Sequence, residues 1–394
     1  MVATQSATEL NDLLSALVAN ANKPFEEARA MPPGVYSSPE FLSLEESEVF
    51  QKEWLCVGRA ESISGAGDYI TFDILEEPLV VVRGDDGEVR ALSNICLHRM
   101  SRLLEGRGNA KRIVCPYHAW TYGLGGDLIG APYMENSACF DKHEYQLPKA
   151  RAQVWQGWIF VTLNADAPDL DQHLAQLGET VTNRYAMENY VETFREEHVW
   201  DTNWKILAEN FMESYHLFRL HAGTVGPHSK VEEMECPPGG EAFNYHWITK
   251  EWSLALGNAH PDNTRLEGDW RKTTALICAY PGHMITLTPG YFWYLCLQPR
   301  GVDKVHIIYG GGFAPEYVND PNADQMISEL KALLDEVNVE DRVGVESVYR
   351  GARGALASNG HLSYLERPNF EFGQYLARKT CPETTTMVNR NAAE

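Results

Sequence analysis

From residue 68 onward apolar and polar positions alternate. DYITFDI (68–74) is followed by PLVVVRG (78–84), then a turn at DDGE and VRALSN (89–94). A period of two predicts half-buried strands. Glycine-rich loops continue to GWIFVTLN (157–164), so residues 41–165 are expected to form a small all-β domain closed by the polar linker ADAPDLDQ. Ahead of it, ELNDLLSALVANA (9–21) has a helical pattern and MPPGVYSS reads as extended chain. Residues 1–40 are therefore expected to be an N-terminal helical segment packing on the C-terminal domain. That domain, 166–394, opens with a helical region. HMITLTPG (283–290), YFWYLCLQP (291–299) and VHIIYGGGF (305–313) then predict antiparallel strands of one twisted sheet. A long helix over 323–352 ends the pattern. The fold class is α+β, an all-β domain followed by a twisted antiparallel sheet packed by helices.

With 44% hydrophobic and 22% charged residues, the 394-residue chain is an ordinary globular sequence with room for two cores. A formal charge of −22 argues against nucleic acid, because phosphate binding needs clustered Lys and Arg. No apolar run is long enough for a membrane span, and the first thirty or so residues lack the basic start and apolar core of a secretion signal. Cytoplasmic residence is the expectation. The eight cysteines are spread over the whole length, which does not suggest a disulfide framework; six of them read as small buried core residues.

The other two belong to CLHRMSRLLEGRGNAKRIVCPYHAWTYGLGGDL. Cys96-x-His98 is followed, after sixteen residues, by Cys115-x-x-His118. Two thiolates and two imidazoles on two similar loops can close a zinc site, or hold a two-iron cluster with cysteines on one iron and histidines on the other. This stretch resembles the Rieske signature, including the PYHAWTYGLGGDLIGAP that follows it. Met100 departs from that pattern, which usually has glycine there.

A second constellation lies in ENFMESYHLFRLH (209–221), where His216 and His221 stand five residues apart. On a straight helix that spacing turns the two imidazoles about 140° away from each other, so both can reach one ion only where the helix widens or breaks. NWKILAENFMESYHLFRLH (203–221) resembles the mononuclear-iron segment of the Rieske non-haem iron oxygenase α subunits, the aromatic-ring-hydroxylating oxygenase family.

The resemblance implies a helix-grip, START-like catalytic domain and a set of roles. Cys96, His98, Cys115 and His118 would bind a [2Fe-2S] cluster; His216, His221 and a late acid, Asp341, would bind mononuclear Fe(II). Glu340 and Glu346 would be solvated or structural. Glu213 would bond His216 and reach His118 of the next chain in a head-to-tail homotrimer, and Asn210 would lie near the iron. Trp204, Tyr215, Phe218 and the YFWY cluster at 291–294 are candidate pocket aromatics. A glutamate at 213, where aspartate is common, is similar to the carnitine monooxygenase branch that acts on quaternary ammonium compounds.

The implied activity is that of a terminal oxygenase, a mono- or dioxygenase. It would use O₂, and electrons from NAD(P)H through a separate flavin- or ferredoxin-type reductase, to hydroxylate or oxidatively demethylate a small organic substrate. Two alternatives stand beside it: an aromatic-ring-hydroxylating dioxygenase, and a non-enzymatic zinc-ribbon ligand-binding protein.

Overall fold

The computed structural model describes residues 2–382. They form two compact units, Phe50–Leu170 and a second made of the N-terminal segment to Val49 together with the chain from Asp171 onward.

The first unit is all β. Its strands are β1 (Leu55–Arg59), β2 (Asp68–Ile74), β3 (Glu77–Arg83), β4 (Val89–Ser93), β5 (Arg107–Asn109), β6 (Ile113–Val114), β7 (Thr121–Tyr122), β8 (Leu128–Gly130), β9 (Lys149–Trp155) and β10 (Trp158–Thr162). Seven pair in the order β1-β10-β9-β4-β3-β2-β5, and β6-β7-β8 make a small separate sheet. Val80, Val82, Leu92, Leu103, Ile113 and Trp120 pack into one core with Cys96 and Cys115. The two motif loops are thus seated on apolar side chains, as a rigid metal cradle requires.

The second unit carries β11 (Val191–Trp200), β12 (Met234–Glu235), β13 (Phe243–Thr249), β14 (Thr273–Ala279), β15 (His283–Leu287), β16 (Tyr291–Pro299) and β17 (Val305–Phe313). They pair antiparallel in the order β11-β17-β16-β15-β14-β13-β12. Among its helices are α1 (Val2–Ala21), α2 (Pro39–Glu45), α3 (Trp204–Met212), α4 (Leu217–Leu220), α5 (Ala323–Ala352) and α6 (Arg367–Thr380). Helix α3 packs against β14 and β16 on one side and against α5 and α6 on the other, and α1 packs on α6.

The β unit starts at Phe50 and not at 41, for a physical reason. Glu45 and Lys205 are both fully buried and joined at 2.8 Å, and the indole of Trp204 donates to the same carboxylate oxygen. Nearby, the Tyr36 hydroxyl donates to Glu209 at 2.7 Å, and burial pushes that carboxyl up to about 8. These polar pairs commit residues 36–45 to α3. Replacing Glu45 by alanine leaves a buried ammonium without its partner, and should cost about 3–5 kcal/mol in denaturant unfolding. A loss under about 1 kcal/mol would mean that Lys205 is already held neutral.

Three sequence expectations need correction. The long helix α5 is not the last element, since α6 follows it. Strands β11, β13 and β14 lie where no strand was expected. Of the six cysteines read as core, Cys56, Cys278 and Cys296 are buried, Cys236 and Cys381 only partly, and Cys139 is exposed. Cys139 lies in the loop after β8, whose Met134 and Phe140 pack on the core while Cys139 itself is exposed.

Candidate metal centres and substrate cavity

In the β unit the two motif loops have one backbone form. The N–H of Met100 donates to the Cys96 carbonyl at 2.9 Å, and that of Ala119 to the Cys115 carbonyl at 3.0 Å. Both closing residues are left-handed, at φ 54 and φ 57. Cys96 and Cys115 are buried, the rings of His98 and His118 lie 4.6 Å apart, and His98 stacks on Trp120 at 4.9 Å. Nδ1 of His98 is buried with no hydrogen-bond partner among the described residues. A buried nitrogen of this kind fits a metal as its acceptor, so the four residues suit an iron–sulfur cluster.

Tyr122, not singled out in the sequence, sits with its hydroxyl 3.4 Å from Cys96 Sγ and 3.0 Å from the Leu97 amide. A hydroxyl donating to a ligand sulfur raises a cluster's reduction potential.

Met100 explains itself differently from its neighbours. It is 82% exposed, so it buries nothing in this chain, yet it holds a conformation that disfavours a β-carbon. Met100→Gly should therefore stabilise the unit by about 1 kcal/mol and leave the cluster spectrum unchanged. A lower thermal midpoint would show that the side chain packs on something.

The second constellation is built by a helix that stops. Asn203 caps the start of α3, its side chain accepting the Lys205 amide. At Glu213 the backbone turns extended, at φ −127 and ψ 158, and ends the helix. The Glu213 carboxylate then folds back to accept the amides of Tyr215 and His216. His216 and His221 flank the single turn α4. At the two ends of this turn the imidazoles converge, with their Nε2 atoms 3.2 Å from each other.

Asp341, from α5, completes the set. Its Oδ1 is 3.0 Å from His221 Nε2 and 3.6 Å from His216 Nε2. Cis ligands of one first-row ion sit about 3 Å apart when each bond is roughly 2.1 Å. The three atoms have that spacing, and two histidines with one carboxylate leave positions open for O₂ and substrate, the pattern of non-haem iron. The residues fit the ion. Asn210 stands beside them, its Nδ2 3.2 Å from both His216 Nε2 and Asp341 Oδ1.

Each imidazole is oriented from its far edge. Nδ1 of His216 lies 2.6 Å from Glu213 Oε1, and Nδ1 of His221 lies 2.8 Å from Glu340 Oε2. Carboxylates there hold the proton on Nδ1 and leave Nε2 free to bind a metal. Glu340, expected to be solvated or structural, is thus a partner of the histidine, and it also accepts from Thr224. Consecutive residues on a helix diverge by about 100°, and the longer Glu340 reaches one ring edge while Asp341 meets the other.

A second residue that sequence reasoning passed over is His246 on β13. Its Nε2 is 2.8 Å from Ser214 Oγ, and burial, with the nearby His216 adding to it, pushes the imidazole down to about 3. It is a neutral brace for the turn that holds Glu213. Glycine at 344 matters as well: a β-carbon there would stand 3.0 Å from Leu220, so its absence lets α5 approach α4.

A cavity of about 510 Å³ opens on this site. Tyr291, Trp293 and Leu295 line it from alternate positions of β16, while Phe292 and Tyr294 pack on the opposite face. Trp293 is paired with Thr286, and Thr286 with Leu276, so one register row crosses the cavity floor. Trp200, Phe211 and Trp252 add further aromatic walls. The three earlier candidates do not line it. Trp204 is spent on Glu45, and Tyr215 and Phe218 are 46% and 56% exposed because the helix break turns them outward.

Comparison with known proteins follows this geometry. Residues 53–141 match the model of the Rieske [2Fe-2S] domain, and residues 187–380 that of the ring hydroxylating alpha subunit (catalytic domain). The chain is 28% identical over 332 residues to the carnitine monooxygenase oxygenase subunit of Escherichia coli (strain K12), covering 83% of this chain and 85% of that one. It is 35% identical over 219 residues to the glycine betaine monooxygenase oxygenase subunit of Pseudomonas aeruginosa (strain UCBPP-PA14), covering 54% and 50%. In fold it is similar to a quaternary ammonium Rieske monooxygenase in complex with L-carnitine, with a TM-score of 0.78 at 22% identity over 90% of this chain and 96% of that one.

Proposed function

We propose, for a chain that belongs to the family of Rieske ring-hydroxylating oxygenase alpha subunits, that the substrate is a methylated ammonium compound oxidised at an N-methyl group. The observation that carries this is the aromatic-walled cavity opening on His216, His221 and Asp341. Aromatic faces attract a quaternary ammonium group, and relatives named for carnitine and glycine betaine point the same way.

In this reading Cys96, His98, Cys115 and His118 would hold the cluster, and His216, His221 and Asp341 would hold the iron. Together these groups supply reducing electrons one at a time and the means to activate O₂. The chain's own residues do the rest. Glu213 and Glu340 fix the Nδ1 protons, Asn210 donates to Asp341, and the apolar walls exclude water. The net change takes one O₂, two electrons and two protons. One oxygen enters the N-methyl group and the other leaves as water; the hydroxymethyl ammonium then breaks its C–N bond to give formaldehyde, a tertiary amine and a proton.

The partner in the same reading is a reductase using NAD(P)H, and the assembly is a head-to-tail homotrimer in the cytoplasm. Leu97, Met100 and Tyr117 are exposed near His118, and Tyr215 and Phe218 are exposed near Glu213. Two different apolar patches suit a heterologous ring. Among the described residues no helix is long and apolar enough to cross a membrane.

Substrate-dependent O₂ uptake with equimolar formaldehyde release, with a generic reductase, tests the reading. Uptake with arenes alone, giving diols and no formaldehyde, favours the aromatic-ring alternative, which the apolar cavity also accommodates. The zinc-ribbon alternative is set aside by the match over both domains. A third expectation concerns Glu340: Glu340→Ala should weaken iron binding roughly tenfold to a hundredfold, read by chelator competition, with cluster absorption intact. Unchanged iron affinity would reduce Glu340 to a surface role.

A further inference from the structure

We infer that the substrate carries no carboxylate, and is a quaternary ammonium group on an aromatic or branched apolar body. This rests on the ammonium reading above and narrows it. Among the described residues no Lys or Arg lines the cavity, and the carboxylates there are Glu213, Asp341 and Glu336, the last on the exposed rim. The lining imidazole outside the metal set, His228, is also exposed at the rim.

One cation, Lys250, stands against Trp252 with Nζ 4.4 Å from the ring centroid. It is engaged by Glu233 at 3.7 Å and by the His228 carbonyl. A zwitterion such as carnitine would have to bury its carboxylate with only neutral donors such as Ser229, Thr274, Thr286 and Asn338 and no counter-charge, which is unfavourable for an ionised group. Size agrees. Cavities of roughly 300–1,000 Å³ hold drug-sized ligands, and this one, at about 510 Å³, is much larger than a betaine needs.

The test is calorimetric titration of the assembled, iron-loaded protein with benzyltrimethylammonium, its neutral carbon isostere neopentylbenzene, and L-carnitine. Benzyltrimethylammonium should bind roughly tenfold or more tighter than either of the others. Trp293→Leu should erase its advantage over neopentylbenzene, and Trp252→Leu, on a half-exposed loop, gives the same reading should the first variant fold poorly. Lys250→Gln should leave all three affinities unchanged. Carnitine binding as tightly as benzyltrimethylammonium, and losing that affinity in Lys250→Gln, overturns this inference and leaves the ammonium reading standing. Neopentylbenzene binding as well as the cation overturns both.

Discussion

Asp341→Ala abolishes substrate-dependent O₂ uptake and leaves the cluster spectrum intact: this is the largest effect expected of a single substitution here. The carboxylate is the anionic member of the donor set, 3.0 Å and 3.6 Å from the two Nε2 atoms. Without it, two neutral imidazoles must hold a divalent ion unaided, and the anionic member of the two-histidine, one-carboxylate set that suits Fe(II) is gone. Asn210 also loses a partner, since its amide donates to Asp341 Oδ1. Iron content and the cluster's absorption and EPR signals should be measured on one preparation. Mononuclear iron falls while cluster iron stays. A variant that turns over normally would remove Asp341 from the site.

Glu213→Ala, loaded at saturating iron to offset a weakened hold on His216, should keep its cluster and lose turnover by roughly a hundredfold. The structure gives this residue two tasks within one chain. Its Oε1 orients His216, and its Oε2 accepts the amides that close the turn after α3. The proposed third task is to carry electrons from His118 of the neighbouring subunit. These can be separated. Loss of the turn alone would release iron together with activity, whereas loss of the bridge leaves iron bound and the cluster reducible but slow to reoxidise in substrate and O₂. Glu213→Asp shortens the reach by one methylene and should fall between. Full activity in Glu213→Ala would end the bridging role.

The local patterns were readable because their causes are local. Alternation over 68–74, 291–299 and 305–313 reports side chains that point to opposite faces of a strand, and those runs are strands. The Cys-x-His and Cys-x-x-His spacings describe two short loops, and loop geometry depends on few neighbours. The five-residue interval called for an interruption between His216 and His221; the chain instead ends α3 at Glu213, ahead of both, and sets the two histidines at the ends of one helical turn.

Other features depend on partners far along the chain. In YFWY the alternation was plain, but its parity was not; the pairing of Trp293 with Thr286 turns Tyr291 and Trp293 into the cavity and Phe292 and Tyr294 away. Trp204 looked like a pocket residue until Glu45, 159 positions earlier, claimed its indole. Tyr122 and His246 gave no local sign of their proximity to Cys96 and Ser214.

By itself, then, the sequence determined which atoms are available for metal chemistry and which of the strongly periodic segments are strand or helix, because ligand type, spacing and hydrophobic period are properties of neighbouring residues. Tertiary structure decided which acid meets which imidazole, which aromatics form the wall and where charge is missing from it. Those are contacts between segments that only packing brings within reach, and a linear pattern contains no distance between them.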